Sequence, residues 1–286
     1  MKVDTRNPYP QALGHLFVSS QTFDPRDQDG FVDTLAPGYV PPAAVRPAAQ
    51  IISFDRSAEG RHNEAFDTSR SRIIQGATWK KQRIIVMLPA ANTISTKVAL
   101  SHWNLIFPPN QAVYRMLCLG MEVGDAYSQA ISAVLAEPNL SEWEYILTIE
   151  HDNVPPPDGV IKLIENMDAH PELACIGGLY WTKGEGGVPQ IWGDPKDPVL
   201  NFRPQVPQPE CVQECCGTGM GFNLWRLSMF KDDKLRKPWF KTLAGDGGVG
   251  TQDLYFWADA RKHGYRCAID TRVKVGHFDL SSDMVW

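Results

Sequence analysis

The residues with the clearest chemical potential are two carboxylates, Glu150 and Asp152, on either side of His151. They come directly after the apolar run 144–149, which has the composition of a buried central strand. Carboxylates at the end of such a strand are costly unless they bind a cation or hydrogen-bond donors. An oxygen-rich site suits Mg²⁺ or Mn²⁺, which also take ligands from substrate phosphates. The alternative is a solvated turn in which the acids only cap the backbone.

Two later residues could complete such a site. Asp253 lies at the start of a predicted helix over 253–263, and His277 follows a predicted strand. An acid in a first helical turn often does no more than stabilise the helix dipole. A single histidine is likewise more often a structural residue than a ligand. Each feature is therefore a weak signal alone, whereas the three in this order form a stronger one.

The elements that must position these residues alternate between strands and helices from Arg83 onward. The predicted strands are 83–90, 114–119, 144–149 and 174–181, and the predicted helices are 95–106, 123–136, 158–168 and 253–263. This alternation predicts an α/β fold with a mainly parallel central sheet that helices cover on both faces. Ligands bind such sheets at the carboxyl ends of the strands, so the loops after 89 and 149 are the first candidates. The stretch 182–210, dense in Gly, Pro and Gln, is a candidate acceptor-side or lid loop.

Residues 1–80 differ in composition from the rest of the chain. They are rich in Pro, Asp, Arg and Ser and show neither the strand nor the helix period. We therefore predict an irregular N-terminal extension over 1–80 and a single catalytic domain over 81–286.

Charge and hydropathy bound the class of protein. The 286 residues carry a net charge of −5, which is unfavourable for a nucleic-acid-binding protein, although Arg and Lys cluster at 226–241 and 261–274. No apolar run approaches the roughly 18 residues that span a bilayer. The N-terminus lacks the apolar segment of a secretory signal. These features predict a cytoplasmic protein without a membrane span.

Two motifs invite other interpretations. Cys211, Cys215 and Cys216 could suggest zinc, but they lack the paired spacing of zinc ligands, so reduced, partly buried thiols are expected. The segment GTGMG (217–221) neither follows the first strand nor precedes Lys-Ser or Lys-Thr. It is therefore neither a dinucleotide-binding fingerprint nor a P-loop, and its glycines would let the backbone pass close to a ligand.

The ordered motifs resemble those of the GT-A nucleotide-diphospho-sugar glycosyltransferases, especially the family-2-like members of bacteria and their phages. The similarity runs from Ile84 to Asp279. The segments that carry it, in order, are LTIEHDNVPPPDGVIKLIE, CIGGLYW, CGTGMGFNLWRLSMF, PWF, GTQDLYFWADARKHGY and VGHFD. The combination is far more specific than any one segment.

The resemblance implies a role for each matching residue. Asp152 matches the metal ligand that ends the family's D-x-D motif, and Glu150 takes the place of its first Asp, which contacts the ribose or the metal. His277 matches the histidine that completes the metal site, and Asp253 matches the proposed general base. The remaining implied contacts, to the nucleobase and ribose and then to the donor or acceptor, fall on Pro89, Ala90 and Asn92, and on Trp181 and Gly219.

The chain departs from the family pattern at three places. Glu150 adds a methylene to the first position of the D-x-D motif. Gln252 replaces the usual acid before Asp253. Tyr127 and Ser128 stand where many relatives carry Arg-Asn, which removes donor contacts expected from that helix.

The implied activity is metal-dependent transfer of a sugar from a nucleotide-diphosphate donor to an acceptor hydroxyl, with inversion. The implied ion is Mn²⁺ or Mg²⁺, and imidazole ligation by His277 favours Mn²⁺. The acceptor would be a glycan, a lipid-linked sugar or a protein. Two alternatives stay open: the same chemistry on a modified base of phage DNA, in the host cytoplasm, and a nucleotide-sugar-binding module without catalysis.

Overall fold

The structure, a computed structural model, describes residues 50–54, 83–91, 93–108, 112–245 and 248–286. All of them belong to one compact unit, Pro47–Trp286. The predicted extension over 1–80 lies outside the described residues except for 50–54, so its boundary stays a prediction. No helix of the described ranges has the length and apolar composition to span a bilayer.

The first half of the unit alternates strands with helices. Its elements are β1 (Gln50–Phe54), β2 (Arg83–Ala90), α1 (Thr96–Trp103), β3 (Ala112–Leu119), α2 (Val123–Ala136), α3 (Pro138–Ser141), β4 (Tyr145–Ile149), β5 (Asn153–Val154), α4 (Gly159–Ala169) and β6 (Cys175–Leu179). The second half has shorter strands and one longer helix. Its elements are β7 (Ile191–Trp192), β8 (Val212–Cys215), β9 (Gly217–Thr218), β10 (Phe222–Arg226), β11 (Leu243–Gly245), β12 (Gly248–Gly250), α5 (Gln252–Ala260), β13 (Cys267–Lys274), β14 (Gly276–Asp279) and β15 (Met284–Val285).

Eight strands form the central sheet in the order β1-β3-β2-β4-β10-β6-β13-β8. β2 pairs in parallel with β3 and β4, and β13 pairs in parallel with β6. β10 runs antiparallel between β4 and β6, so five of the eight strands, β3, β2, β4, β6 and β13, share one direction. This arrangement confirms the predicted α/β class and mainly parallel sheet.

Two apolar cores lie against the sheet. One includes Ile131 of α2 and Trp257 of α5, and the other includes Val160 and Ile164 of α4. β2 can pair with a neighbouring strand on each edge because its residues from Ile84 to Ala90 are all apolar and buried. Helices therefore cover both faces, as predicted, and the carboxyl ends of β2, β3 and β4 meet at one edge.

Several element bounds differ from the prediction. The helix predicted to reach 106 ends at Trp103; the N–H of Ile106 instead donates to the carbonyl of Pro157, 2.8 Å away. Helix is also disfavoured at Phe107 because Pro108 follows it. The strand predicted to reach 181 ends at Leu179, since the next residue pairs with the chain returning at 190. β1, inside the predicted extension, was not expected as a strand and pairs antiparallel with β3.

Candidate functional site

A cavity of about 320 Å³ opens where β2 and β4 end. Its lining combines apolar residues after β2 and around the start of α2 with the polar triplet after β4: Pro89, Ala90, Ala91, Met121, Val123, Glu150, His151 and Asp152. Four predicted site residues, Pro89, Ala90, Glu150 and Asp152, are thus brought together. Asn92, predicted beside them, lies outside the described residues.

Asp152 and His277 meet at the rim of this cavity although they are distant in sequence. β5 and β14 pair antiparallel, with His277 opposite Asn153. The N–H of Phe278 donates to the carbonyl of Asp152 at 2.7 Å. This pairing leaves the His277 Nε2 atom 3.4 Å from the Asp152 Oδ2 atom, and both side chains are less than one-fifth exposed.

The backbone of Trp181 determines which nitrogen of His277 faces Asp152. The Nδ1 atom of His277 lies 2.8 Å from the Trp181 carbonyl oxygen. A carbonyl oxygen can only accept, so Nδ1 carries the proton and donates it. Such a bond fixes the ring and leaves Nε2 as the nitrogen that can ligate an ion. Trp181 therefore contributes to the site through its carbonyl group.

Lys183 is a site residue that the sequence did not reveal. Its Nζ atom lies 2.5 Å from Oδ2 of Asp152, the same oxygen that faces His277. Burial raises the pKa of Asp152, but its contacts with His277 and Lys183 outweigh that effect and hold the pKa well below its usual range. Asp152 is therefore ionised throughout the neutral range.

Comparisons with known proteins give remote likenesses of fold alone. No protein-family model matches the chain, and neither does any curated protein sequence. Among solved structures, A197 from STIV is 15% identical with a TM-score of 0.49 over 71% of this chain and 93% of its own. TarS 1–349 from S. aureus is 14% identical with a TM-score of 0.38, over 66% of this chain and 58% of its own. Similarities at this level carry no functional conclusion, so the function must be argued from the site.

Glu150 lies in the cavity as an acid with a strongly perturbed affinity for protons. Burial, with a smaller effect from the charges of Asp152 and Asp253, raises the pKa of Glu150 to about 8, against the opposing charge of Lys183. Glu150 is therefore protonated at neutral pH and can donate a hydrogen bond, whereas Asp152 can only accept. The two acids of the triplet thus differ in protonation state.

Substitution of Glu150 tests this difference through stability. The folded protein keeps the proton up to about pH 8 and the unfolded chain releases it near its ordinary pKa of 4.5, so stability falls as the pH rises through that window. Glutamine stays neutral and removes this loss. With a chelator present, Glu150→Gln is expected to raise the unfolding midpoint by roughly 10 °C above pH 8 and by much less near pH 5.

The matched control is Glu142→Gln, since the Glu142 side chain is 71% exposed. It should leave the pH dependence of the midpoint unchanged. A Glu150→Gln midpoint that differs from wild type by the same amount at both pH values would contradict the assignment.

Asp253 lies in the first turn of α5 and is almost fully buried. Burial raises its pKa, and hydrogen bonds from the Thr251 side chain and the Leu254 N–H oppose that effect. A Cβ at Gly124 would lie 3.2 Å from the Gln252 Cβ atom, so the starts of α2 and α5 are in contact. The start of α5 therefore lies against the start of α2, whose Val123 lines the cavity, and the charge of Asp253 acts on Glu150.

Gly219 is not among the residues that line the cavity. A Cβ there would collide with the hydroxyl oxygen of Tyr180 and lie 2.8 Å from the Gln190 side-chain oxygen. The Tyr180 hydroxyl in turn accepts the N–H of Gly221 at 2.9 Å. The structure thus gives Gly219 a packing reason for lacking a side chain, and its predicted contact with the donor or acceptor stays a prediction.

The pair Asp152 and His277 fits a divalent ion in part. A carboxylate oxygen and a free imidazole nitrogen converge within 3.4 Å, a donor set that suits Mn²⁺ better than Mg²⁺. Glu150 does not join them in one cluster, because the described residues contain no group of three His, Cys, Asp or Glu side chains able to hold a metal. An ion bound here would therefore take its other ligands from the substrate or from water.

Proposed function

We propose that the protein is a metal-dependent glycosyltransferase that moves a sugar from a nucleotide-diphosphate donor to an acceptor hydroxyl. One observation carries the proposal. Asp152 and His277 face each other at 3.4 Å on the rim of a cavity that lies at the carboxyl ends of β2 and β4. A nucleotide in this cavity would place its phosphates at the rim, beside a carboxylate and an imidazole that can share one ion.

The cavity supplies the nucleoside-binding part of the site. Its volume of about 320 Å³ lies at the lower end of the range for small-molecule pockets. Pro89 and Ala90 form an apolar wall for the base, and protonated Glu150 can donate to a ribose hydroxyl. This accounts for a glutamic acid at a position where an ionised group would be poorly solvated.

At the rim, the ion would be held by Asp152 and His277. A divalent cation neutralises the negative charge that develops on a diphosphate leaving group. The Trp181 carbonyl fixes the His277 ring, and contacts with Lys183 and His277 keep Asp152 ionised despite its burial. The site is thereby preorganised before the donor arrives.

Asp253 is the proposed general base for the acceptor hydroxyl. Its raised pKa brings it closer to neutral pH, which makes it a stronger base than an exposed aspartate. The Asp253 carboxylate would take the hydroxyl proton as the acceptor oxygen attacks the anomeric carbon opposite the leaving diphosphate. Such an in-line attack inverts the anomeric configuration.

A donor screen tests the proposal directly. UDP-, GDP- and CDP-sugars are added to the protein with Mn²⁺ or with a chelator, and the unfolding midpoint is measured. The correct donor at 100 times its Kd is expected to raise the midpoint by about 5 °C or more with Mn²⁺ and much less with the chelator. Release of radiolabelled sugar from that donor then shows turnover. Stabilisation without release would identify a binding module, and no response to any nucleotide sugar would refute the proposal.

A further inference from the structure

Lys183 contacts the carboxylate oxygen that an ion shared by Asp152 and His277 would need. Its ammonium group lies 2.5 Å from Asp152 Oδ2, and His277 Nε2 lies 3.4 Å from the same oxygen. The ammonium and a divalent ion are both positive and repel each other at this range, so each weakens the binding of the other to this oxygen. The lysine and the ion therefore compete for the Asp152 carboxylate.

The loop that carries Lys183 is hydrogen-bonded at its base and has open space around its tip. The N–H of Thr182 donates to the carbonyl of Val188 and the N–H of Gln190 to that of Tyr180, each at 2.9 Å. At the tip, Gly184 and Gly186 have φ angles of 93° and 76°, and nothing lies within 4 Å of the position of a Cβ on either. The lysine side chain is 34% exposed, so its ammonium can leave Asp152 without unpacking a core.

The charges around Lys183 are acidic. Asp152 contacts it, and Lys183 also lowers the pKa values of Glu150 and Asp279, which places it within electrostatic reach of both. The ammonium therefore neutralises a site that would otherwise attract cations more strongly. Its removal leaves the Asp152 carboxylate uncompensated beside a free imidazole nitrogen.

We propose that Lys183 is a built-in counter-cation that holds Asp152 while no divalent ion is bound and that the ion must displace it. The inference rests on the ion site of the proposed function. In this arrangement Lys183 lowers the affinity for the ion alone and, in the absence of the ion, holds the Asp152 carboxylate beside His277. The ligand set is thus kept in place without the ion.

Calorimetric titration with Mn²⁺ alone tests the inference. Lys183→Met and Lys183→Gln are expected to bind Mn²⁺ about tenfold more tightly than wild type, a factor equivalent to ~1.4 kcal/mol. Lys183→Arg keeps the charge and should bind as weakly as wild type. Lys262→Met removes an exposed lysine of the 3₁₀ turn after α5 and should also match wild type. Thermal unfolding of each variant verifies that it is folded.

The Asp152→Ala variant separates this inference from the ion site itself. If Asp152→Ala abolishes Mn²⁺ binding and both neutral Lys183 variants bind with wild-type affinity or more weakly, Lys183 does not compete and this inference is overturned alone. If Asp152→Ala binds Mn²⁺ as wild type does, the ion site is wrong and both proposals fail. Tighter binding by both neutral variants, lost again when Asp152→Ala is added, would establish the competition.

Discussion

Turnover by the Asp253→Asn variant is expected to fall about 10²–10⁴-fold, the loss typical of removing a general base, while its affinity for the donor stays at the wild-type level. Asn has the same shape as Asp and keeps an oxygen that can accept the Leu254 N–H, which lies 2.8 Å from Asp253 Oδ1. The buried start of α5 is therefore preserved. Only the ability to take a proton is lost. Single-turnover rates and calorimetric donor binding measure the two quantities separately.

The pH dependence of this reaction gives a second, independent readout. Asp253 must be ionised to act as a base, so kcat/KM should rise with pH through its raised pKa and then level off. The residual activity of Asp253→Asn should lack this acidic limb. Asp259→Asn is the matched control on the same helix, because the Asp259 carboxylate accepts the Arg236 N–H at 3.0 Å and an amide oxygen can do the same. Wild-type turnover by Asp253→Asn would show that another group is the base.

The parts of the fold that could be predicted are those with a strong local pattern. The strand 83–90 is apolar after Arg83, and the helix 123–136 has one apolar face containing Tyr127, Ile131 and Val134, so both were predicted with the bounds that the structure shows. β1 is an edge strand in a segment without a clear period, and nothing local distinguishes it from its surroundings. The antiparallel insertion of β10 between β4 and β6 depends on long-range pairing, which strand composition does not encode.

The site residues likewise divide into those that the sequence could predict and those that it could not. Pro89 and Glu150 end neighbouring parallel strands, so topology alone brings them to one cavity. His277 joins them through the β5–β14 pairing, a contact that only the family resemblance indicated. Lys183 gave no sequence signal because a lysine in a Gly-rich loop is usually solvated, and its role depends on where a long, flexible side chain ends. Site residues at the ends of neighbouring strands could thus be predicted from the sequence, whereas a contact that depends on where a long side chain ends could not.

Removal of the Asp152 carboxylate is expected to abolish Mn²⁺-dependent donor binding in the Asp152→Ala variant, a loss of about 100-fold or more in affinity for the Mn²⁺–donor complex. Even outer-shell partners of a metal ligand are typically worth about 10–100-fold, so losing a ligand should cost at least the upper value. The fold should survive, because the Asp152 carbonyl still accepts the Phe278 N–H and the side chain is only partly buried. Calorimetric heats of donor binding with Mn²⁺ and with a chelator measure the effect.

Two further variants make the result specific to the shared ion. His277→Ala should lose Mn²⁺-dependent binding as Asp152→Ala does, and the double variant should lose little more, because two ligands of one ion act as a unit. Asp158→Ala removes a 49%-exposed carboxylate that pairs with Lys162 at the start of α4 and should bind the Mn²⁺–donor complex as wild type does. If the Asp152 and His277 effects instead add fully, each side chain acts on the donor independently. The single ion between the 3.4 Å pair would then be the wrong explanation of the site.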